Sequence, residues 1–285
     1  MAVTQRPAPT MRDIKIIALD LDGTLLNTNK ELTACNLAAL QKAADAGIEI
    51  VPTTGRFYGG MPEVIRNLPF VHYAITINGA AVYDVQRRQD IAKAEIPLQS
   101  AVEIMAYLDT VPVIYDCYMD NWGWMTRTMW EKAEEFAPND HYLKMIRELR
   151  KPVPELKAYL LETGHDVQKI QLFVKDMELH RELLRLLPVR FPQTAVSTSV
   201  VNNVEINSLH ANKGEAIGTL AACLGYDISQ TMAFGDGLND LSMIRSAGVG
   251  VAMANACEEV LTAADSITLD CDHDGVAAGI QKYCL

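Results

Sequence analysis

The chain has 285 residues, of which 25 are Lys or Arg and 36 are Asp or Glu, a formal net charge of −11 with neutral histidines. Hydrophobic residues make up 49% and charged residues 21%, ordinary globular usage that excludes a disordered, collagen-like or coiled-coil chain; at about 150 residues per domain the length fits two domains. The acidic balance argues against broad nucleic-acid binding or attachment to anionic membranes, and no apolar run approaches the roughly 18 residues that span a bilayer.

Residues 1–11 carry Pro7 and Pro9 and no apolar stretch of signal-peptide type, so they read as a flexible tail. A β-rich run over 14–19 stops at Asp20. Leu37, Leu40 and Ala44 then fall at helical spacing within 32–46, and Gly47 stands where a C-cap glycine belongs. A buried strand over 48–51, a helix near 62–68 and a third strand over 74–77 follow. Strand, helix, strand, helix, strand implies parallel pairing with right-handed crossovers.

From 85 to 204 the order becomes irregular. Helices are expected near 101–108, 130–136 and 178–186, and strands near 113–118, 169–174, 195–199 and 203–206. This mixture reads as an α+β domain inserted into the α/β one. The segment 115–130 is dense in Tyr, Met and Trp; it either builds the core or an interface of the insertion, or stacks on a substrate. From 205 the α/β grammar resumes, with helices over 213–224, 239–246, 258–264 and 274–283 and strands over 231–234, 249–252 and 266–269. The expected division is therefore a core of 12–84 and 205–285 with an inserted domain of 85–204.

The six cysteines (35, 117, 223, 257, 271 and 284) form no Cys-x-x-Cys pair. Reduced thiols in a cytoplasmic protein are expected. The six histidines show no metal-ligand spacing and are assigned no chemistry.

Ligands of an open parallel sheet bind beyond the carboxyl ends of its strands. The first strand is followed by Asp20-Leu21-Asp22-Gly23-Thr24, the second by Thr53-Thr54-Gly55-Arg56, the third by Asn78-Gly79-Ala80, and the strand at 231–234 by Gly235-Asp236-Gly237-Leu238-Asn239-Asp240. Lys213 opens the helix before that last strand. If the sheet is parallel, these groups meet at one edge. Asp20, Asp22, Asp236 and Asp240 then bring up to four negative charges and Lys213 returns one. Carboxylates so placed repel unless a cation or proton intervenes, and an oxygen-only set of this kind suits Mg²⁺. A carboxylate held against a metal and a phosphoryl group can act as nucleophile. Thr54, Lys213, Asn239 and the N–H groups of Leu21 and Gly55 supply donors for phosphoryl oxygens. Arg56 either bridges to the insertion or contacts substrate; Asn78 is either a turn residue or a donor to the substrate pocket.

These residues carry a family resemblance. Asp20-Leu21-Asp22-Gly23-Thr24 resembles the first motif of the haloacid-dehalogenase-like hydrolases, Thr54 the second, Lys213 the third and the segment 235–240 the fourth. The motif order and the long insertion between Thr54 and Lys213 are similar to the Cof-type subfamily. That resemblance implies a Rossmann-like α/β core with an inserted α+β cap of the C2 type. It further implies a Mg²⁺-dependent phosphatase acting on small phosphorylated metabolites, sugar phosphates foremost, through an aspartyl-phosphate. It casts Asp20 as nucleophile and metal ligand, and Asp22 as general acid/base with its backbone carbonyl on the metal. Asp236 becomes the third metal ligand, and Thr54, Gly55, Lys213 and Asn239 the phosphate binders. Asp240 either orients Lys213 or supports the metal from behind. Thr53 stands where Ala is common in the family. Two alternatives stay open: a phosphomutase on sugar phosphates, and a regulatory module that keeps the metal and phosphate site without turnover.

Overall fold

The computed structural model describes residues 14–284; the tail expected over 1–11 lies outside the described residues. In chain order the first segment contains β1 (Ile16–Leu19), α1 (Ala34–Asp45), β2 (Glu49–Pro52), α2 (Glu63–Arg66), β3 (Tyr73–Thr76), β4 (Ala81–Asp84) and β5 (Gln89–Lys93). The middle holds α3 (Leu98–Leu108), β6 (Val113–Met119), β7 (Trp122–Thr126), α4 (Arg127–Glu131), α5 (Asp140–Leu149), β8 (Arg150–Val153), α6 (Leu156–Thr163), β9 (Lys169–Val174), α7 (Met177–Arg190), β10 (Thr194–Ser197) and β11 (Asn203–Ser208). The last segment holds α8 (Lys213–Cys223), β12 (Thr231–Gly235), α9 (Leu241–Ser246), β13 (Val249–Ala252), α10 (Glu258–Ala263), β14 (Ser266–Ile267) and α11 (Gly275–Tyr283).

Two compact units result. One comprises the described residues through Arg56, Met61–Ala92 and Asn212 onward; the other comprises Phe57–Gly60 and Lys93–Ala211. The alternation pattern had set the insertion at 85–204. The difference arises because β5 hydrogen-bonds to the β3–β4 hairpin and β11 pairs along its length with β9 and β10, so each element stays with its sheet.

The first unit is an α/β layer structure around a sheet of order β14-β13-β12-β1-β2, with β1 parallel to both β12 and β2. β1, paired on both sides, is apolar on both faces: Ile16, Ile17, Ala18 and Leu19 are all fully buried, as a doubly covered parallel strand requires. Helix α1 begins where Thr33 Oγ1 accepts the Asn36 N–H at 3.1 Å and ends before Gly47, whose φ of +85° suits a residue without Cβ. The expected alternation holds through β3, but the pairing of that strand differs. β3 touches β2's end through one parallel bridge, Thr53 to Ile75, and otherwise pairs antiparallel with β4. A left-handed turn over residues 77–79 reverses the chain directly after β3, so no crossover helix intervenes.

The second unit is a six-stranded sheet of order β10-β11-β9-β6-β7-β8, antiparallel except for β7 and β8. Val113, Tyr115, Cys117 and Met119 of β6 join Ile170, Leu172 and Val174 of β9 in one core with α3, α6 and α7. The intervening residues carry charge: Arg150 Nε donates to Asp116 at 2.8 Å and Lys169 Nζ to Glu205 at 3.2 Å, all buried. Strand β7 and helices α5 and α6 were not foreseen. β7 enters through a two-residue hairpin at Asp120 and Asn121, both left-handed, a type I′ geometry without the glycine that usually marks it. Tyr115, Met119 and Met125 are buried, and Trp124 packs on Tyr159 at 4.7 Å, so much of the aromatic segment builds this unit's own structure. The expected helix at 130–136 is interrupted, α4 giving way to a 3₁₀ turn at Ala133–Glu135.

All six cysteines are free. No helix among the described residues is long and apolar enough to cross a membrane.

Candidate active site

The carboxyl ends of β1, β2 and β12 place the acidic motifs together. The Asp20 N–H continues the ladder to Phe234 O at 3.1 Å and the Thr53 N–H donates to Leu19 O at 2.7 Å, so the loops after three neighbouring strands emerge side by side. Asp20, Asp236 and Asp240 each present an oxygen within 4.8 Å of the others. Lys213 enters from the first position of α8, whose N-cap Asn212 accepts the Glu215 N–H at 2.9 Å.

Lys213 is fully buried and lies between two of the carboxylates, donating to Asp20 Oδ1 at 2.6 Å and Asp240 Oδ1 at 2.5 Å. The other oxygen of Asp240 accepts the N–H groups of Asp236 and Gly237, each at 2.9 Å. Asp240 thus ties the lysine to the loop that carries Asp236. Thr24 Oγ1 fixes Asp236 from the opposite side at 2.7 Å. Gly23 makes that approach possible: its φ is +88°, and a Cβ there would stand 2.6 Å from Asp236 Oδ2.

The electrostatics follow from the packing. Burial pushes the Asp20 carboxyl up, Lys213 pulls it down and Asp240 and Asp236 push it up again, leaving it at about 7. Asp236 is raised by burial, with Thr24 opposing and Asp240 adding. Burial would lower Lys213, but Asp20 and Asp240 hold its ammonium well above the usual lysine range. Three carboxylates share one cation here, a surplus of two negative charges. That surplus, built from oxygen ligands alone, fits one divalent hard cation.

Asp22 stands apart from this cluster. Arg56 grips its Oδ2 through Nε at 3.2 Å and Nη2 at 2.9 Å, and Lys30 Nζ lies 3.0 Å from Oδ1. Burial would raise Asp22, but Arg56 and Lys30 outweigh it and hold the carboxyl below its ordinary value. Arg56 therefore has a partner that neither sequence reading named. Thr54 is buried, its N–H donating to Ile75 O at 2.9 Å and its Oγ1 accepting from Arg56 N at 3.2 Å. Leu21 is buried; Gly55 lies beside Asn78, whose Oδ1 would stand 3.0 Å from a Cβ at 55. Asn239 sits on a 3₁₀ turn, Leu238–Asp240, rather than on the helix expected from 239, and its Nδ2 donates to Asn78 Oδ1 at 3.3 Å.

The structure thus brings Asp20, Lys213, Asp236 and Asp240 into one cluster and gathers Asn78 with Gly55 and Asn239. Sequence reasoning missed Thr24 and Lys30. Thr24 was legible in the Asp-Gly-Thr run; Lys30 was not, because a left-handed φ of +65° in the turn after Asn27 returns it toward Asp22.

A family model described as haloacid dehalogenase-like hydrolase matches residues 17–280. The chain is 29% identical to the 5-amino-6-(5-phospho-D-ribitylamino)uracil phosphatase YcsE of Bacillus subtilis, over 96% of this chain and 97% of that one. It is 27% identical to the pyridoxal phosphate phosphatase YbhA of Escherichia coli, over 95% and 99% respectively. A crystal structure of a haloacid dehalogenase-like hydrolase from Bacteroides thetaiotaomicron superposes with a TM-score of 0.80 at 26% identity, covering 94% of this chain and 99% of that one.

Proposed function

The chain belongs to the haloacid dehalogenase-like hydrolases, and from that membership we propose that it is a Mg²⁺-dependent phosphatase that releases orthophosphate from small phosphorylated metabolites through a phosphoryl group carried on Asp20. The observation that carries the proposal is the cluster itself. Asp20, at the end of β1, keeps one oxygen on Lys213 and shares a divalent-sized charge surplus with Asp236 and Asp240.

In this reading Asp20 attacks phosphorus: an O–P bond forms to its carboxylate as the ester P–O bond breaks, and Asp22 gives its proton to the departing oxygen. In the second half Asp22 takes a proton from water, the water oxygen bonds to phosphorus, and the Asp20 carboxylate leaves. Arg56 and Lys30 favour the charged form of Asp22, which suits the base; the acid role requires those cations to relax their hold. Thr54, Gly55, Lys213, Asn239 and the Leu21 N–H are assigned to the phosphoryl oxygens, where transfer depends on positioning and charge neutralisation. The metal would be held by Asp20, Asp236 and the Asp22 backbone carbonyl, with Asp240 behind them. When bound, it neutralises the approaching phosphate and the crowded carboxylates. Two relatives act on phosphorylated compounds that each carry a nitrogen heterocycle, which supports small metabolites as the substrate class and extends it beyond simple sugar phosphates. Six free thiols support a cytoplasmic setting.

Orthophosphate release from a panel of phosphorylated metabolites is the test. Release is expected with Mg²⁺ and expected to cease in EDTA. Full turnover in verified metal-free protein would refute the charge argument, and an isomerised sugar phosphate would indicate the mutase. Calorimetry supplies a readout apart from turnover. A proton on Asp20 competes with the metal, so Mg²⁺ affinity should fall by up to about tenfold per unit as pH drops below 7.

A further inference from the structure

Ile77, Asn78 and Gly79 follow one another with φ of +54°, +56° and +97°. Glycine adopts left-handed backbone freely and asparagine tolerates it, but a β-branched residue does so only when its surroundings compel it. Ile77 is fully buried, so its conformation is held from all sides. What the turn achieves is connection. The Ile77 N–H donates to Arg56 O and the Asn78 N–H to Thr54 O, each at 3.0 Å, so the Thr54–Gly55 loop is pinned at two points. Gly79 lies against Asn212, where a Cβ would stand 2.3 Å from the carbonyl oxygen, one residue before Lys213. Asn78 Oδ1 accepts from Asn239. One three-residue turn therefore touches each of three segments: the loop of Thr54, the helix start of Lys213 and the turn of Asn239.

We propose that Asn78 is a positioning residue for phosphate binding, its side-chain oxygen fixing the amide of Asn239 so that the second Nδ2–H is presented to a phosphoryl oxygen. The inference rests on the phosphatase reading and assigns Asn78 a role through Asn239 rather than a contact of its own. Asn239 is exposed, and the final torsion of an asparagine side chain is broad; a partner on one of its two N–H groups removes that freedom. A purely conformational role at 78 would be served as well by glycine.

The experiment is Asn78→Gly in the full chain, with Asn239→Ala and the double variant. Glycine takes φ of +56° without strain, so the turn is kept while the Asn78 side chain is removed together with its bond to Asn239. KM for a phosphate ester and Ki for inorganic phosphate are expected to rise together, by about tenfold, with kcat within about threefold of the parent. Asn239→Ala should shift both constants similarly, and the double variant should add nothing to that loss. Unchanged KM and Ki in Asn78→Gly, or losses that multiply in the double variant, would overturn the proposal; a general weakening of the fold would also multiply, so the cycle reads the coupling even if Tm moves. Failure of the parent protein to hydrolyse any ester would refute the phosphatase reading instead, and calorimetric affinity for inorganic phosphate in the same variants would still decide whether Asn78 acts through Asn239.

Discussion

Asp20→Asn is expected to lower kcat on any phosphate ester by more than about four orders of magnitude while leaving the protein folded. The substitution keeps shape and an acceptor for Lys213, which now lies 2.6 Å from Oδ1, but an amide cannot form the acyl-phosphate. Stability should move the other way. The folded-state carboxyl of Asp20 is raised from 3.8 to about 7. A carboxyl raised on folding contributes its full stabilisation below its unfolded value and loses it as pH climbs through the folded one. At pH 8 without metal the charged Asp20 therefore opposes folding, and the asparagine variant should unfold at higher urea than the parent. Steady-state rates and urea unfolding of the same preparation check both halves. Parental kcat in the Asp20→Asn variant would remove Asp20 from the chemistry.

The second large effect is expected from Lys213→Met. The lysine is fully buried and hydrogen-bonded to two carboxylates. Removing one partner of a buried ionic set costs about 3–5 kcal/mol, because the remaining charges stay desolvated and uncompensated. Activity should be lost with it. Pairing the change with Asp240→Asn removes one orphaned charge, so the double variant should recover part of the stability and none of the activity. If Lys213→Met were as stable as the parent, the ammonium would not be the element that binds the cluster together.

Both predictions concern residues that a one-dimensional reading could find, and the reason is topological. Asp20 and Asp236 each follow an apolar run at the carboxyl end of a parallel strand, and neighbouring parallel strands put such ends side by side; the pairing of Leu19 with Phe234 then brings them together across a long stretch of chain. Lys213 was legible as the first residue of a helix that precedes one of those strands. The parts that stayed hidden depend on backbone conformations with weak composition signals. Lys30 reaches Asp22 through a left-handed turn, and the Ile77–Gly79 turn forces a β-branched residue into a conformation that no propensity would assign. Arg56 turned on Asp22 because two opposite charges meet once β1 and β2 are adjacent, which the spacing of 34 residues does not announce. In the inserted segment, Asp120-Asn121 makes a tight hairpin without glycine, and the strand after it went unread.

The stereochemical course at phosphorus is the sharpest test of a phosphoryl group carried on Asp20. With a phosphorothioate ester made chiral by two oxygen isotopes and hydrolysed in water of the third, transfer to Asp20 and then to water comprises two in-line displacements, each inverting, so the released thiophosphate should show overall retention. Overall inversion would mean that water attacks the ester in a single step, and would contradict an intermediate carried on Asp20.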